Sequence, residues 1–206
     1  MPEELTLMRA LRDMNMPKFV FEDVPLFMGL ITDLFPSMDI KRKPYEKKDR
    51  IIEVMESLGL QKELPKQIDK VVQLFETMLT RHTTMVVGPT GSGKSTIIEI
   101  LKKVDSVTIY CMNPKAITVN ELYGTMDMQT REWKDGLLSK VFRIANEKPP
   151  GGRDESRWIL FDGDVDAVWV ENMNSVMDDN KLLTLINGDR IRLERYCKML
   201  FEVFDL

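Results

Sequence analysis

The stretch GPTGSGKS, Gly88 to Ser95, constrains this chain more than any other, because of what stands on either side of it. It fits the spacing G-x-x-x-x-G-K-[ST]. Before it, Thr83-Thr84-Met85-Val86-Val87 is short, apolar and β-branched, and reads as a buried strand; after it, Ile97 to Lys103 reads as a helix. A strand, a glycine loop and a helix start aim backbone N–H groups at phosphate oxygens, with the positive end of the helix dipole behind them. Gly88, Pro89, Thr90, Gly91, Ser92, Gly93, Lys94, Ser95 and Thr96 are therefore the candidate nucleotide contacts. Lys94 is expected to pair with the β- and γ-phosphates, and the Ser95 hydroxyl to take a place on Mg²⁺. Gly88, Gly91 and Gly93 are expected to turn with positive φ and let the backbone approach the ligand. The competing reading is a chance glycine turn, which the flanking strand and helix disfavour.

Composition sets outer bounds. A chain of 206 residues that is 43% hydrophobic buries one full core, or one core plus an appended helical piece. A net charge of −4 implies no nucleic-acid partner. Cys111 and Cys197 lie in apolar runs without metal-ligand spacing and read as reduced core thiols, a disulfide being the alternative. The N-terminal MPEELTLMRALRD lacks a signal-peptide core, and nowhere do about eighteen apolar residues follow one another. A soluble, non-secreted chain with no membrane partner is expected. His82, the one histidine, reads as a strand start rather than a metal ligand.

Before the loop, the pattern is helical. Leu5, Met8, Leu11 and Met14 form an apolar stripe interrupted at Met16-Pro17-Lys18-Phe19, and a second run, Phe27 to Phe35, stops at Pro36. Lys41-Arg42-Lys43 with Lys47 and Lys48 reads as a solvated linker. Ile51, Ile52, Val54, Met55 and Leu58 line a third helix ending near Gly59; Pro65 opens a fourth, lined by Ile68, Val71, Val72, Phe75, Met78 and Leu79.

After the loop, strands and helices alternate. Val107 to Met112 is a strand closed by Asn113-Pro114, and Thr118-Val119-Asn120-Glu121 is a capping box opening a short helix that ends at Gly124. Asp135 is a candidate cap for a helix lined by Leu137, Leu138, Val141, Phe142 and Ile144, and Lys148 to Glu155 is a loop. Val168 to Met177 reads as one helix, Asn187-Gly188 as the turn of a β-hairpin, and Lys198 to Leu206 as a last strand. The alternation predicts an α/β fold with a parallel sheet and helices on both faces.

The apolar run Trp158-Ile159-Leu160-Phe161 ends in Asp162. In a doubly wound fold ligands sit at the carboxyl ends of strands, so Asp162 is expected to face the phosphate loop and hold Mg²⁺, directly or through water. An ordinary loop start is the other reading of such a residue. The next residue is Gly163, where ATP-hydrolysing members of this broad class usually place a glutamate that polarises the attacking water. Losing a general base typically costs on the order of 10² to 10⁴ in rate. Asp164 and Glu171 are the substitute bases available. Tight binding with little or no turnover is expected.

The runs NPKAITVNELYG, TREWKDGLL, WILFDGDVDAVWVENMNSVMDDNKLLTLINGDRIRL and FEVFDL resemble the second AAA+ module of a dynein heavy chain, and LRDMNMPKF resembles the segment leading into that module. The likeness spans nearly the whole chain, and NPKAITVNELYG and VENMNSVMDDN are closer to axonemal than to cytoplasmic heavy chains. The resemblance implies that Gly88 to Ser95 is the Walker A loop, Asp162 the Walker B aspartate and Asp205 the first sensor position, where hydrolysing modules often carry asparagine. It implies ATP or ADP with Mg²⁺ as ligand, and Pro17 and Phe19 near the adenine. Residues 1–80 become a helical segment leading into the module, and 81–206 a partial AAA+ large subdomain of P-loop type without its last sheet strand and helical lid. The partners implied are neighbouring AAA+ modules of the same heavy chain and, through other regions, dynein intermediate and light chains and microtubules. The location implied is the cytoskeleton of the cytoplasm, in a cilium or flagellum axoneme. Read as a fragment with an uncovered sheet edge, the chain is expected to be weakly stable and prone to aggregate alone. Two alternatives stay open: a hydrolysing module with Asp164 or Glu171 as base, and, less well matched, a P-loop kinase.

Overall fold

The computed structural model describes residues 3–20, 22–36, 45–61, 65–148 and 155–205. The chain divides into two compact units, 1–80 and 81–206.

The N-terminal unit is helical: α1 (Glu3–Asn15), a 3-10 turn at Met16–Lys18, α2 (Val24–Leu34), α3 (Lys48–Ser57) and α4 (Pro65–Thr80). Its breaks fall where the sequence puts them, with Pro17 in the 3-10 turn and Gly59 at φ 72° just after α3. The α1 stripe is corrected. Met8 is buried, but Leu11 and Met14 are exposed, and Arg12 is buried in their place with Nε on Asp13 Oδ1 at 2.7 Å. On α4, Leu74 joins Ile68, Val71 and Met78 in the core, while Leu79 is exposed. The basic run Lys41-Arg42-Lys43 lies outside the described residues; Lys47 sits over the Phe75 ring, 5.6 Å from its centroid.

The second unit runs β1 (Thr83–Val87), α5 (Lys94–Asp105), β2 (Thr108–Met112), α6 (Val119–Tyr123), β3 (Gly124–Met126), β4 (Trp133–Asp135), α7 (Leu137–Asn146), β5 (Arg157–Asp162), α8 (Ala167–Val170), α9 (Asn174–Met177), β6 (Leu182–Thr184), β7 (Arg190–Arg192) and β8 (Cys197–Val203). Four strands form a parallel sheet in the order β1-β8-β5-β2, flanked by helices. The last strand in sequence is thus inserted between the first and the third of the sheet. Its register aligns Val203 with Val87 and Glu202 with Asp162, so the carboxyl ends of β1, β8 and β5 meet at one edge.

Strands covered on both faces read as unbroken apolar runs, as Trp158 to Phe161 and Met199 to Phe201 do. Trp158, Ile159, Phe161, Met199, Leu200 and Phe201 are all buried. Phe161 stacks on Phe201 at 4.6 Å between centroids, and Trp169 lies 5.8 Å from Phe161. Such pairs add about 0.5–1.5 kcal/mol beyond area burial. Arg157, 8% exposed, meets its charge at the end of α7, where Nη1 donates to Ile144 O at 2.9 Å, Ala145 O at 3.3 Å and Glu147 O at 2.9 Å. Carbonyls at a helix C-terminus lack their regular partners one turn on, and although Ile144 O also accepts from Glu147 N at 3.3 Å and Ala145 O from Cys197 Sγ at 2.8 Å, a cation there suits both the carbonyls and the dipole.

Several local expectations hold. Thr118 and Glu121 form the reciprocal capping box, and β6 and β7 pair antiparallel around Asn187-Gly188. The turn differs in detail. Gly188 N donates to Leu185 O at 3.0 Å, and of the Asn-Gly pair Gly188 alone has positive φ, at 90°, so the glycine closes a longer loop instead of completing a two-residue turn. Three other expectations fail. Residues 168–177 are not one helix but α8, a 3-10 turn at Glu171–Met173, and α9. Asp135 does not cap α7, whose cap is Gly136; it ends β4 and accepts from Trp133 Nε1 at 2.7 Å and Arg143 Nε at 2.9 Å. Cys111 is exposed rather than in the core, and both cysteines are free thiols. The last strand stops at Val203. Most of the Lys148–Glu155 loop lies outside the described residues.

Candidate functional site

After β1 the chain turns through Gly88 to Gly93 into the first turn of α5. Gly91 and Gly93 take φ of 81° and 89°, a region that disfavours any residue with a Cβ. Gly88 departs from the expectation, since its φ is not positive; a Cβ there would instead lie 2.9 Å from Ser92 Oγ. Lys94 Nζ donates to Gly88 O at 2.7 Å and Pro89 O at 3.1 Å, which pins the ammonium over the loop it follows.

A cavity of about 400 Å³ opens beside this turn. Of the loop candidates, Thr90, Gly91, Gly93 and Lys94 to Thr96 line it, whereas Gly88, Pro89 and Ser92 belong to the turn without forming its wall. Asp162, from the end of β5, lines it too, with Gly163 and Asp164. The parallel sheet is what brings the two sequence sites together.

Asp164 reaches the cavity but is committed elsewhere. Its Oδ1 accepts from Phe204 N at 3.3 Å and its Oδ2 meets Lys115 Nζ at 3.3 Å. The Phe204 N–H first, and Lys115 next, hold its carboxyl below the usual range. A carboxylate so stabilised is a poorer proton acceptor. Glu171 is exposed at the start of the 3-10 turn after α8 and is not part of the cavity's lining, so the structure does not bring it to the site. Asp205 follows the end of β8, is exposed, and is also not part of the lining. Pro17 and Phe19 belong to the N-terminal unit, where the Phe19 ring stacks on Phe27 at 4.6 Å.

One site residue escaped the sequence reading. Glu202, half-buried on β8, lines the cavity and accepts a hydrogen bond from Ser95 Oγ on its Oε1 at 2.6 Å. Nothing local marks it; only the pairing of β8 between β1 and β5 puts it beside Asp162. The donors offered here are hard oxygens, the Ser95 hydroxyl and the two carboxylates, which suit Mg²⁺. Among the described residues no cluster of three or more His, Cys, Asp or Glu could hold a metal by itself. An ion here would therefore draw oxygens from a nucleotide and water as well.

Strand, glycine loop, helix start and acidic strand end together define a P-loop module of the AAA+ kind. Comparison with known proteins agrees. A family model described as the AAA domain of the dynein-related subfamily matches residues 83–204, and one described as the hydrolytic ATP binding site of the dynein motor region matches residues 1–95. The chain belongs to the AAA domain family, in its dynein-related subfamily. It is 59% identical to the dynein-1-alpha heavy chain of the flagellar inner arm I1 complex of Chlamydomonas reinhardtii, and 60% identical to dynein axonemal heavy chain 10 of Homo sapiens. These alignments cover 100% and 99% of this chain but 5% of each relative. Dynein axonemal heavy chain 6 of Homo sapiens is 44% identical over 99% of the chain. Among the described residues no helix is long and apolar enough to cross a membrane.

Proposed function

We propose that the chain is the second AAA+ module of an axonemal dynein heavy chain and that its site holds ATP or ADP with Mg²⁺ while turning over little or none of it. The observation that carries this reading is the stretch Asp162-Gly163-Asp164 at the cavity wall. The acidic strand end is in place for an ion, the next residue has no side chain, and the following carboxylate is tied to Lys115 and the Phe204 N–H. In this reading Lys94 and the loop N–H groups hold the phosphates, Ser95 and Asp162 hold the ion, and Asp205 takes the sensor role that the family likeness suggests.

The bound nucleotide then acts as a structural or regulatory ligand of a microtubule motor. Its partners are the adjoining AAA+ modules of the same heavy chain, with intermediate and light chains and microtubules engaged by other regions, in the axoneme of a cilium or flagellum. A turnover reading keeps one point in its favour, that Asp164 does line the cavity.

Lys94→Ala tests the binding half of the proposal. Charge-assisted hydrogen bonds are worth roughly 1.5–3 kcal/mol each, so nucleotide affinity should fall by at least tenfold with the fold intact. Unchanged affinity would mean that Gly88 to Ser95 is a structural turn.

A further inference from the structure

The contact between Ser95 and Glu202 joins the hydroxyl expected on Mg²⁺ to a carboxylate that the phosphate-loop pattern does not include. Ser95 is the second residue of α5, Glu202 lies near the end of β8, and the bond between them is short at 2.6 Å. Glu202 is in register with Asp162 on the adjoining parallel strand, so the two carboxylates stand next to each other on one face of the sheet edge. Both line the cavity that Lys94 lines. The electrostatics follow from that placement. Two carboxylates against one ammonium give the cavity a negative floor where a polyanionic phosphate chain is to sit, with Asp164 in the same wall.

We infer that Glu202 is a second acidic holder of the ion at this site, alongside Asp162, and that it makes nucleotide binding depend on Mg²⁺ more steeply than Ser95 and Asp162 alone would. This rests on the reading of the cavity as a nucleotide site. Without a divalent cation, Glu202 repels the phosphate oxygens and keeps the Ser95 hydroxyl engaged on itself. With one, its charge becomes an attraction, through the ion or a water on it, and the Ser95 hydroxyl oxygen is released to the ion. The same carboxylate therefore opposes free nucleotide and favours the Mg²⁺ complex.

The test is a ratio of affinities, independent of any turnover. A fluorescent ATP analogue is titrated into the intact heavy chain, with the phosphate-loop lysines of its other modules replaced, once with Mg²⁺ and once with a chelator. A unit charge a few ångströms from the phosphates at intermediate dielectric changes affinity by about tenfold. Glu202→Gln should tighten metal-free binding and weaken Mg²⁺-dependent binding, so that the ratio of the two falls by roughly tenfold or more. Glu202→Asp, which keeps the charge, should retain most of the ratio. If the wild-type site binds and Glu202→Gln leaves the ratio unchanged, the inference is wrong and the nucleotide reading stands. If the wild-type site binds no nucleotide under either condition, both are overturned.

Discussion

A Cβ built on Gly163 would lie 3.0 Å from the Asn113 Oδ1 atom, and Gly163 itself sits at φ +153°. The amide is not free to swing away at no cost, because Asn113 Oδ1 accepts from Lys115 N at 3.0 Å and caps the turn after β2. The position where a catalytic glutamate would stand is therefore closed by backbone conformation and by a neighbour. Gly163→Glu should not create an ATPase. The expected result is a variant destabilised by about 1–3 kcal/mol from the unfavourable φ, seen as a lower melting temperature, with phosphate release still at trace level. Adding Asn113→Ala relieves the contact but leaves the backbone cost, so the double variant should remain inactive. A rise in phosphate release with Gly163→Glu would count against this account.

Arg143 ties the hairpin formed by the antiparallel strands β3 and β4 to the β6–β7 hairpin, and this gives a second expectation. Arg143 on α7 meets Asp135 at the end of β4 at 2.9 Å and Asp189 in the β6–β7 loop at 2.6 Å. All three side chains are partly open to water, so Arg143→Ala should cost about 1 kcal/mol or less in global stability. Its effect should be local instead, as faster amide exchange in both hairpins. Lysine cannot reproduce two divergent donors, so Arg143→Lys should behave like the alanine variant.

That bridge also has a pH dependence. The Arg143 hydrogen bond, ahead of the Asn187 side chain, holds the Asp189 carboxyl below its ordinary value. A carboxyl with a depressed folded-state pKa contributes stability that is present above its unfolded value and lost as pH falls through the folded one. Hairpin protection should thus be unaffected from neutral pH down to about 4 and decline only below it. Protection already lost near pH 6 would argue against the bridge.

The two thiols should separate cleanly. Cys197 is buried, its Sγ donates to Ala145 O at 2.8 Å, and burial pushes its pKa up to about 12, whereas Cys111 is exposed. A brief maleimide pulse on the folded chain should add one adduct, at Cys111, by mass spectrometry. The Cys197 shift also sets an alkaline limit. A group whose folded pKa lies above its unfolded value stabilises fully below the unfolded value and loses that contribution as pH rises through the folded one. Stability should fall between about pH 9 and 12, less so in Cys197→Ala once its own packing cost is subtracted.

What was legible in the sequence was whatever a few consecutive residues decide. The strand before Gly88, the turn residues Gly91 and Gly93, the capping box at Thr118 and Glu121, and the acidic end of β5 each depend on neighbours in the chain. What stayed hidden depends on distant pairing. Glu202 looks like any polar residue in an apolar strand until β8 is placed beside β5. The three-residue strands β3 and β4 are too short for an alternating pattern, and Asp135 resembles a helix cap because Leu137 and Leu138 follow it; the carboxylate is drawn to Trp133 and Arg143 instead. Likewise Glu171 reads as a spare base on one long helix, and the break into α8, a 3-10 turn and α9 leaves it outside the cavity wall.

Whether the site holds nucleotide without consuming it is decided by single-turnover chemistry. In the intact heavy chain with the first AAA+ module disabled, γ-labelled ATP is bound at substoichiometric concentration and the site's content is followed over time. Label should be recovered as intact ATP, with phosphate release no faster than in a Lys94→Ala control. Phosphate released at more than a trace rate, and lost with Lys94→Ala, would contradict it and return Asp164 to the role of base.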